Sequence, residues 1–187
     1  MFRSCSYFSK FTFRQNQLIV AKKIPVSDAK EIWIEAVTFE ATSKAIHNAA
    51  YDQMEKGKED LANGMSYAAF VNHAYSFELY LKCLTVIEYG YFYWGHELLE
   101  LFNYLPQQTK DEIVHNNDTL TTRRKSVAQS MPEGGDFIQS LTDASNAFVD
   151  YRYLYDGEKR NEDYDLSFPM QFVKDMIIKK RPEFANR

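Results

Sequence analysis

Apolar side chains recur at spacings of three and four along most of this chain, and that period constrains its fold more than any other feature. Ile32, Ala36, Phe39, Ser43, Ile46, Ala50 and Met54 mark one face of a long first helix. Ser27 offers a cap, Asp28 and Glu31 favour the positive end of its dipole, and Gly57 offers a stop. A second helix runs from about Leu61 to Tyr89, with Phe70, Ala74, Phe77, Leu81 and Leu84 as its stripe and Gly90 at its end. The aromatic segment Tyr91-Phe92-Tyr93-Trp94-Gly95 leads into a short helix from His96 to Tyr104.

Three further helices complete the pattern. Thr109 and Glu112 form a capping box ahead of Ile113, Leu120 and Val127, after Pro106 breaks the preceding helix. Pro132-Glu133-Gly134-Gly135 is the clearest loop, and Asp136 with Gln139 reads as the next capping box. Phe137, Leu141, Ser145, Phe148, Arg152 and Tyr155 share one face, and Gly157 ends that helix. After the charged segment Glu158 to Asp165, Ser167 caps a last helix, which carries Phe172, Val173, Met176 and Ile177. Pro169 fits its first turn, and Pro182 stops it behind Lys179-Lys180-Arg181.

These segments predict an all-α fold, an antiparallel up-and-down bundle of about five to six helices. With 7 Gly and 5 Pro in 187 residues there is little room for a turn-rich sheet. A small N-terminal β-hairpin is the exception: Tyr7 to Phe13 and Leu18 to Ile24 are aromatic and β-branched, with Gln15-Asn16-Gln17 between them. The expected organisation is an extension over 1–25, a bundle over 26–183 and a tail over 184–187.

Composition excludes several functions. A net charge of −4 argues against a surface that binds long nucleic acid throughout and leaves only a local basic patch, such as Arg123-Arg124-Lys125. No apolar run approaches the ~18 residues of a membrane span. Residues 1–23 carry five cations and no acid, yet no amphipathic Arg-rich helix follows to make a transit peptide. Cys5 and Cys83 match no metal or redox spacing, and Cys83 reads as a small buried hydrophobe, which favours a reducing, cytoplasmic setting. His47, His73 and His115 have no ligand-spaced partner, so neither a metal nor a cofactor is expected.

Arg152 is the most informative residue. It lies on an apolar stripe, and a guanidinium cannot shed its charge, so an acid must face it. Glu78, at the edge of the Phe77–Leu81 stripe, is the best candidate, and it also pairs with Lys82 at i,i+4. The structural reading is an ion pair between two helices. The functional reading is a basic cleft for phosphate. His96, after Gly95, is an acid/base candidate or a simple helix-start residue. The 89–94 aromatics are a plug over the bundle end or a platform for bases.

Three segments together resemble the HEPN domain, a helical-bundle family: Phe77-Glu78-Leu79-Tyr80-Leu81-Lys82, Gly95-His96-Glu97-Leu98, and Phe148-Val149-Asp150-Tyr151-Arg152-Tyr153-Leu154-Tyr155-Asp156. The resemblance covers about residues 60 to 180. It implies a bundle that often dimerises and works on RNA or nucleotides, often in toxin–antitoxin or defence systems. Active members cleave RNA without metal, using Arg, four to six residues, then His. Arg152 matches the arginine, but Gly157, Glu158 and Lys159 stand where the histidine would be. The expectation is a non-catalytic module that binds nucleotide, RNA or a cognate protein through Glu78, Lys82, His96, Arg152 and Tyr155. The alternatives are a divergent ribonuclease, with Arg152 and His96 as catalytic residues, and a purely structural dimeric bundle.

Overall fold

The computed structural model describes residues 28–91, 93–127, 137–150 and 166–185. Six α-helices account for nearly all of them, and no β-strand occurs among the described residues. They are α1 (Ala29–Glu55), α2 (Glu59–Tyr89), α3 (Leu98–Asn103), α4 (Gln107–Val127), α5 (Phe137–Asp150) and α6 (Ser167–Lys180), followed by a 3₁₀ turn at Pro182–Phe184. The expected hairpin between Tyr7 and Ile24, the caps Ser27 and Asp136, and the loops at 132–135 and 158–165 lie outside the described residues.

α1 and α2 form a long hairpin closed by a tight turn. Gly57 adopts φ +71, where an L side chain is strained. Its N–H donates to the Met54 carbonyl, and the Lys58 N–H donates to the Gln53 carbonyl, so two end carbonyls of α1 are satisfied. The two helices approach through small side chains: Ala36, Ser43, Ala50, Ala62 and Ala69 are buried, and the Ser43 hydroxyl donates to the Ala69 carbonyl at 2.7 Å.

The C-terminal half of α2 is the centre of the bundle. Ser76 to Leu81 and Cys83 to Val86 are all buried. A helix buried on every side needs neighbours on every side, and α1, α3, α5 and α6 supply them. Phe172, Val173, Met176 and Ile177 of α6 are buried as the spacing predicts. Phe137 and Leu141 of α5 are buried too, with Phe137 and Phe102 rings 4.9 Å apart. Phe184, in the expected tail, packs its ring 5.8 Å from that of Trp33.

Three expectations are corrected. The buried line of α1 is Ala29, Trp33, Ala36, Glu40, Ser43 and Ala50. Ile32, Phe39 and Ile46 only flank it, and Met54 near the hairpin turn is 46% exposed. Trp33 is buried against Tyr80 and Phe184, small residues fill much of the rest of the line, and a charged residue can be buried once paired. The short helix begins at Leu98, so His96 precedes it instead of opening it. Thr109 caps nothing: α4 already begins at Gln107, the Pro106 carbonyl accepts the Lys110 N–H, and the Thr109 hydroxyl donates to Glu88 across the bundle.

Candidate functional site

Glu78 sits midway along the buried part of α2, with its side chain only 4% exposed. A carboxylate there must be neutralised or hydrogen-bonded. Among the described residues, two groups do this on one oxygen. Lys82, one turn on, donates from Nζ to Oε1 at 2.6 Å, and His96 Nδ1 lies 2.9 Å from the same oxygen. The lysine side chain is 12% exposed, whereas that of His96 is 72% exposed. The site thus runs from a buried acid to a surface imidazole.

Chain reversal after α2 brings His96 to Glu78. Gly90 takes φ +74 and donates its N–H to the Val86 carbonyl, which ends α2. The following connector leads back toward the middle of the helix. A Cβ at Gly95 would lie 2.3 Å from Cε1 of the Tyr93 ring, so a larger residue there would displace that ring. Downstream, the Leu99 N–H at the start of α3 donates to the Ser145 hydroxyl of α5 at 3.1 Å, and that hydroxyl donates to the Leu141 carbonyl. This bond fixes the segment that carries His96 against α5.

The geometry defines the imidazole. A carboxylate oxygen only accepts, so Nδ1 carries the hydrogen and donates it to Glu78. Glu78, Lys82 and His96, expected to work together, are therefore brought together. Arg152 and Tyr155, expected to complete them, lie outside the described residues, as do the side chains of Arg123, Arg124 and Lys125.

A second buried acid went unread in the sequence. Glu40 accepts from Lys44 at 2.6 Å, from Lys174 of α6 at 2.7 Å and from the Tyr80 hydroxyl at 2.7 Å. Burial raises its pKa, but these hydrogen bonds outweigh burial and hold the carboxyl at about 2. Burial and the bond to Glu40 in turn push the Tyr80 phenol far up. The signal was present: Glu40 falls at i+4 from Ala36 and i−3 from Ser43, on the small-residue face. Glu88 forms a third junction, accepting from Thr109 of α4 and pairing with Lys180 of α6 at 2.9 Å. Both junctions tie helices together inside the bundle, and neither presents an open ring or nucleophile.

The aromatic connector closes on itself. Tyr89 and Tyr91 stack with centroids 5.6 Å apart, and the Tyr93 and Tyr104 rings lie 5.0 Å apart. The Tyr104 hydroxyl donates to that of Tyr91; this bond first, and burial second, pushes the Tyr104 phenol up to about 12. Trp94 is 49% exposed beside them. Cys83 is buried, donates to the Ala29 carbonyl at 3.2 Å, and has its thiol pushed up to about 12 by burial, which makes it unreactive at neutral pH.

Among the described residues no group of His, Cys, Asp and Glu could hold a metal ion. No helix among them is long and apolar enough to cross a membrane. Comparison with protein-family models, curated proteins and solved structures finds no match for this chain.

Proposed function

We propose that this chain is a HEPN-like module that binds RNA or a nucleotide without cleaving it, and that it does so as a homodimer. The observation that carries the reading is the Glu78–Lys82–His96 centre, in which a buried carboxylate orients a surface imidazole from a separate segment. Glu40 also bonds one largely exposed side chain, Lys44, but from its own helix, whereas Glu78 holds an imidazole from a separate segment, which suits a group held for a ligand. Glu78 and Lys82 balance each other in charge, so the attraction for phosphate is assigned to Arg152, the cation that the sequence places on the apolar stripe of the 148–155 segment. The resemblance to HEPN domains in the 77–82, 95–98 and 148–156 segments supports the same reading.

The test is fluorescence anisotropy with a labelled single-stranded RNA. Binding by the wild type that weakens about tenfold or more in Arg152→Ala is expected, since a charge-assisted hydrogen bond contributes ~1.5–3 kcal/mol. Unchanged affinity in Arg152→Ala and His96→Ala removes the site from the proposal. The RNA should also survive incubation. In-line cleavage needs a proton acceptor and a proton donor, each contributing ~10²–10⁴-fold. Glu158 and Lys159, at the family's histidine position, are types whose ordinary pKa values lie far from neutrality. Cleavage abolished by both Arg152→Ala and His96→Ala would instead establish a ribonuclease. That second reading is favoured by one observation, the carboxylate behind the imidazole, which is the arrangement that steadies a catalytic histidine.

A further inference from the structure

We infer that the tyrosine cluster at the end of α2 is a docking surface for the chain's own basic segment, residues 1–23. The inference stands apart from the binding reading above. Tyr89, Tyr91, Tyr93 and Tyr104 hold one another in place. The Tyr89 hydroxyl donates to the Tyr104 carbonyl at 3.1 Å, that of Tyr104 to the Tyr91 hydroxyl at 3.3 Å, and that of Tyr93 to Glu100 at 3.4 Å. A surface fixed in this way loses little freedom when something covers it. Tyr89 is nonetheless 38% exposed, and the other three rings are half-buried. Glu97 and Glu100 are exposed and close enough to act on the Tyr93 phenol, which burial first and these carboxylates second push up. No lysine or arginine occurs between Glu88 and Tyr104. Of the nearby cations, Lys180 is taken up by Glu88, and Lys110 donates to the Asn103 carbonyl. Exposed rings beside carboxylates attract ammonium and guanidinium groups.

The chain supplies the matching charge. Residues 1–23 carry Arg3, Lys10, Arg14, Lys22 and Lys23, five aromatic side chains and no acid. The fold also attaches this segment beside the cluster. Cys83 of α2 donates at 3.2 Å to the carbonyl of Ala29, the first residue of α1. Tyr89 lies six residues beyond Cys83, roughly 9 Å along α2. The two helices run antiparallel, so α1 starts at the end of the hairpin where α2 finishes. Five residues of chain lead from Lys23 to Asp28, a length that spans ~16 Å when extended, so the cations reach the cluster. Single surface contacts of this kind are weak. A tethered group, however, acts at an effective concentration on the order of millimolar, which favours the chain's own segment over a free basic peptide.

The two cysteines make the test direct. Cys83 is buried and its thiol is pushed up to about 12, so a nitroxide maleimide at neutral pH is directed to Cys5 in the full chain. Paramagnetic broadening of backbone amide signals then reports what the segment approaches, with Cys5→Ser as the unlabelled control. Broadening should fall on Tyr89, Tyr93, Glu97, Glu100 and Tyr104 and spare the hairpin turn at Gly57. In about 1 M salt, where charges are screened beyond ~3 Å, it should drop about twofold or more. The double substitution Glu97→Lys with Glu100→Lys, at two exposed side chains, should produce the same loss without lowering helical circular dichroism. Broadening spread evenly over the surface, or unchanged by that charge reversal, overturns the inference. Broadening seen only when labelled protein is mixed with unlabelled nitrogen-15 protein assigns the surface to a second copy and overturns docking within one chain. A cluster untouched by the label but shifted by added oligolysine belongs to a partner protein, which overturns it too.

Discussion

Glu40 and Glu78 are both buried carboxylates one turn before a lysine, yet they face different fates. Glu40 meets three donors, one of them Lys174 from a distant helix, and its carboxyl is held at about 2 against an ordinary value of 4.5. A pKa lowered on folding adds stability above the unfolded value and loses it as pH falls through the folded one. Stability from Glu40 is therefore complete above about pH 5 and disappears between there and pH 2. The difference corresponds to on the order of 2–3 kcal/mol, with Lys174 and Tyr80 carrying most of it because Lys44 is largely exposed and screened. Urea midpoints measured across that window should fall steeply for the wild type. They should be flatter for Glu40→Gln, and identical slopes would show that Glu40 is not the group responsible. Glu78 carried a sequence signal because it neighboured a recognisable stripe. Glu40 had its signal in register with Ala36 and Ser43, but an acid on a helix face reads as solvated until its partners are known.

At the scale of elements, short α3 shows how one helix is held by another. Six residues cannot hold a helix alone, since nucleation costs more than a single turn returns. Its exposed first-turn N–H at Leu99 is satisfied by Ser145 from α5. Ser145→Ala should cost about 0.5–2 kcal/mol, the usual loss for a helix-end acceptor, and should also raise hydrogen exchange at Leu99. Protection at Leu99 equal to the wild type would show that the bond is replaceable. Ser145 was readable as part of an apolar-spaced face, but its role as a cap for another helix was not. Local capping rules see only neighbours in sequence. Thr109 failed for the same reason: its sequence signature is that of a capping box, yet its hydroxyl bonds to Glu88, distant in sequence.

At the scale of the molecule, the α1–α2 hairpin carries Tyr51, Met54, Leu61 and Tyr67 with large exposed surface, and Trp94 lies open at the aromatic connector. Aromatic residues concentrate in the cores of interfaces, which agrees with the proposed homodimer. Sedimentation velocity should show a dimer at micromolar concentration. A monomer alone at high micromolar concentration would overturn it.

What the sequence determined by itself is the helical class and the C-terminal ends of α1, α2 and α6. The three-and-four period is a property of each segment alone, and Gly57 and Gly90 stop helices because only glycine takes positive φ cheaply. The buried face of α6 follows equally, as do Phe137 and Leu141 of α5, because large apolar residues there have only one side to hide. Tertiary structure decided what depends on a second element. It placed Trp33 and Glu40 on the buried line of α1 and left Ile32, Phe39, Ile46 and Met54 beside it, because the positions of the neighbouring helices set that line. It buried Glu40 because Lys174 arrives from α6. It joined His96 to Glu78, 18 residues apart, because the chain turns back at Gly90. Periodicity records how a segment meets an average core, whereas a hydrogen bond between segments needs both ends placed, and only the folded chain places them.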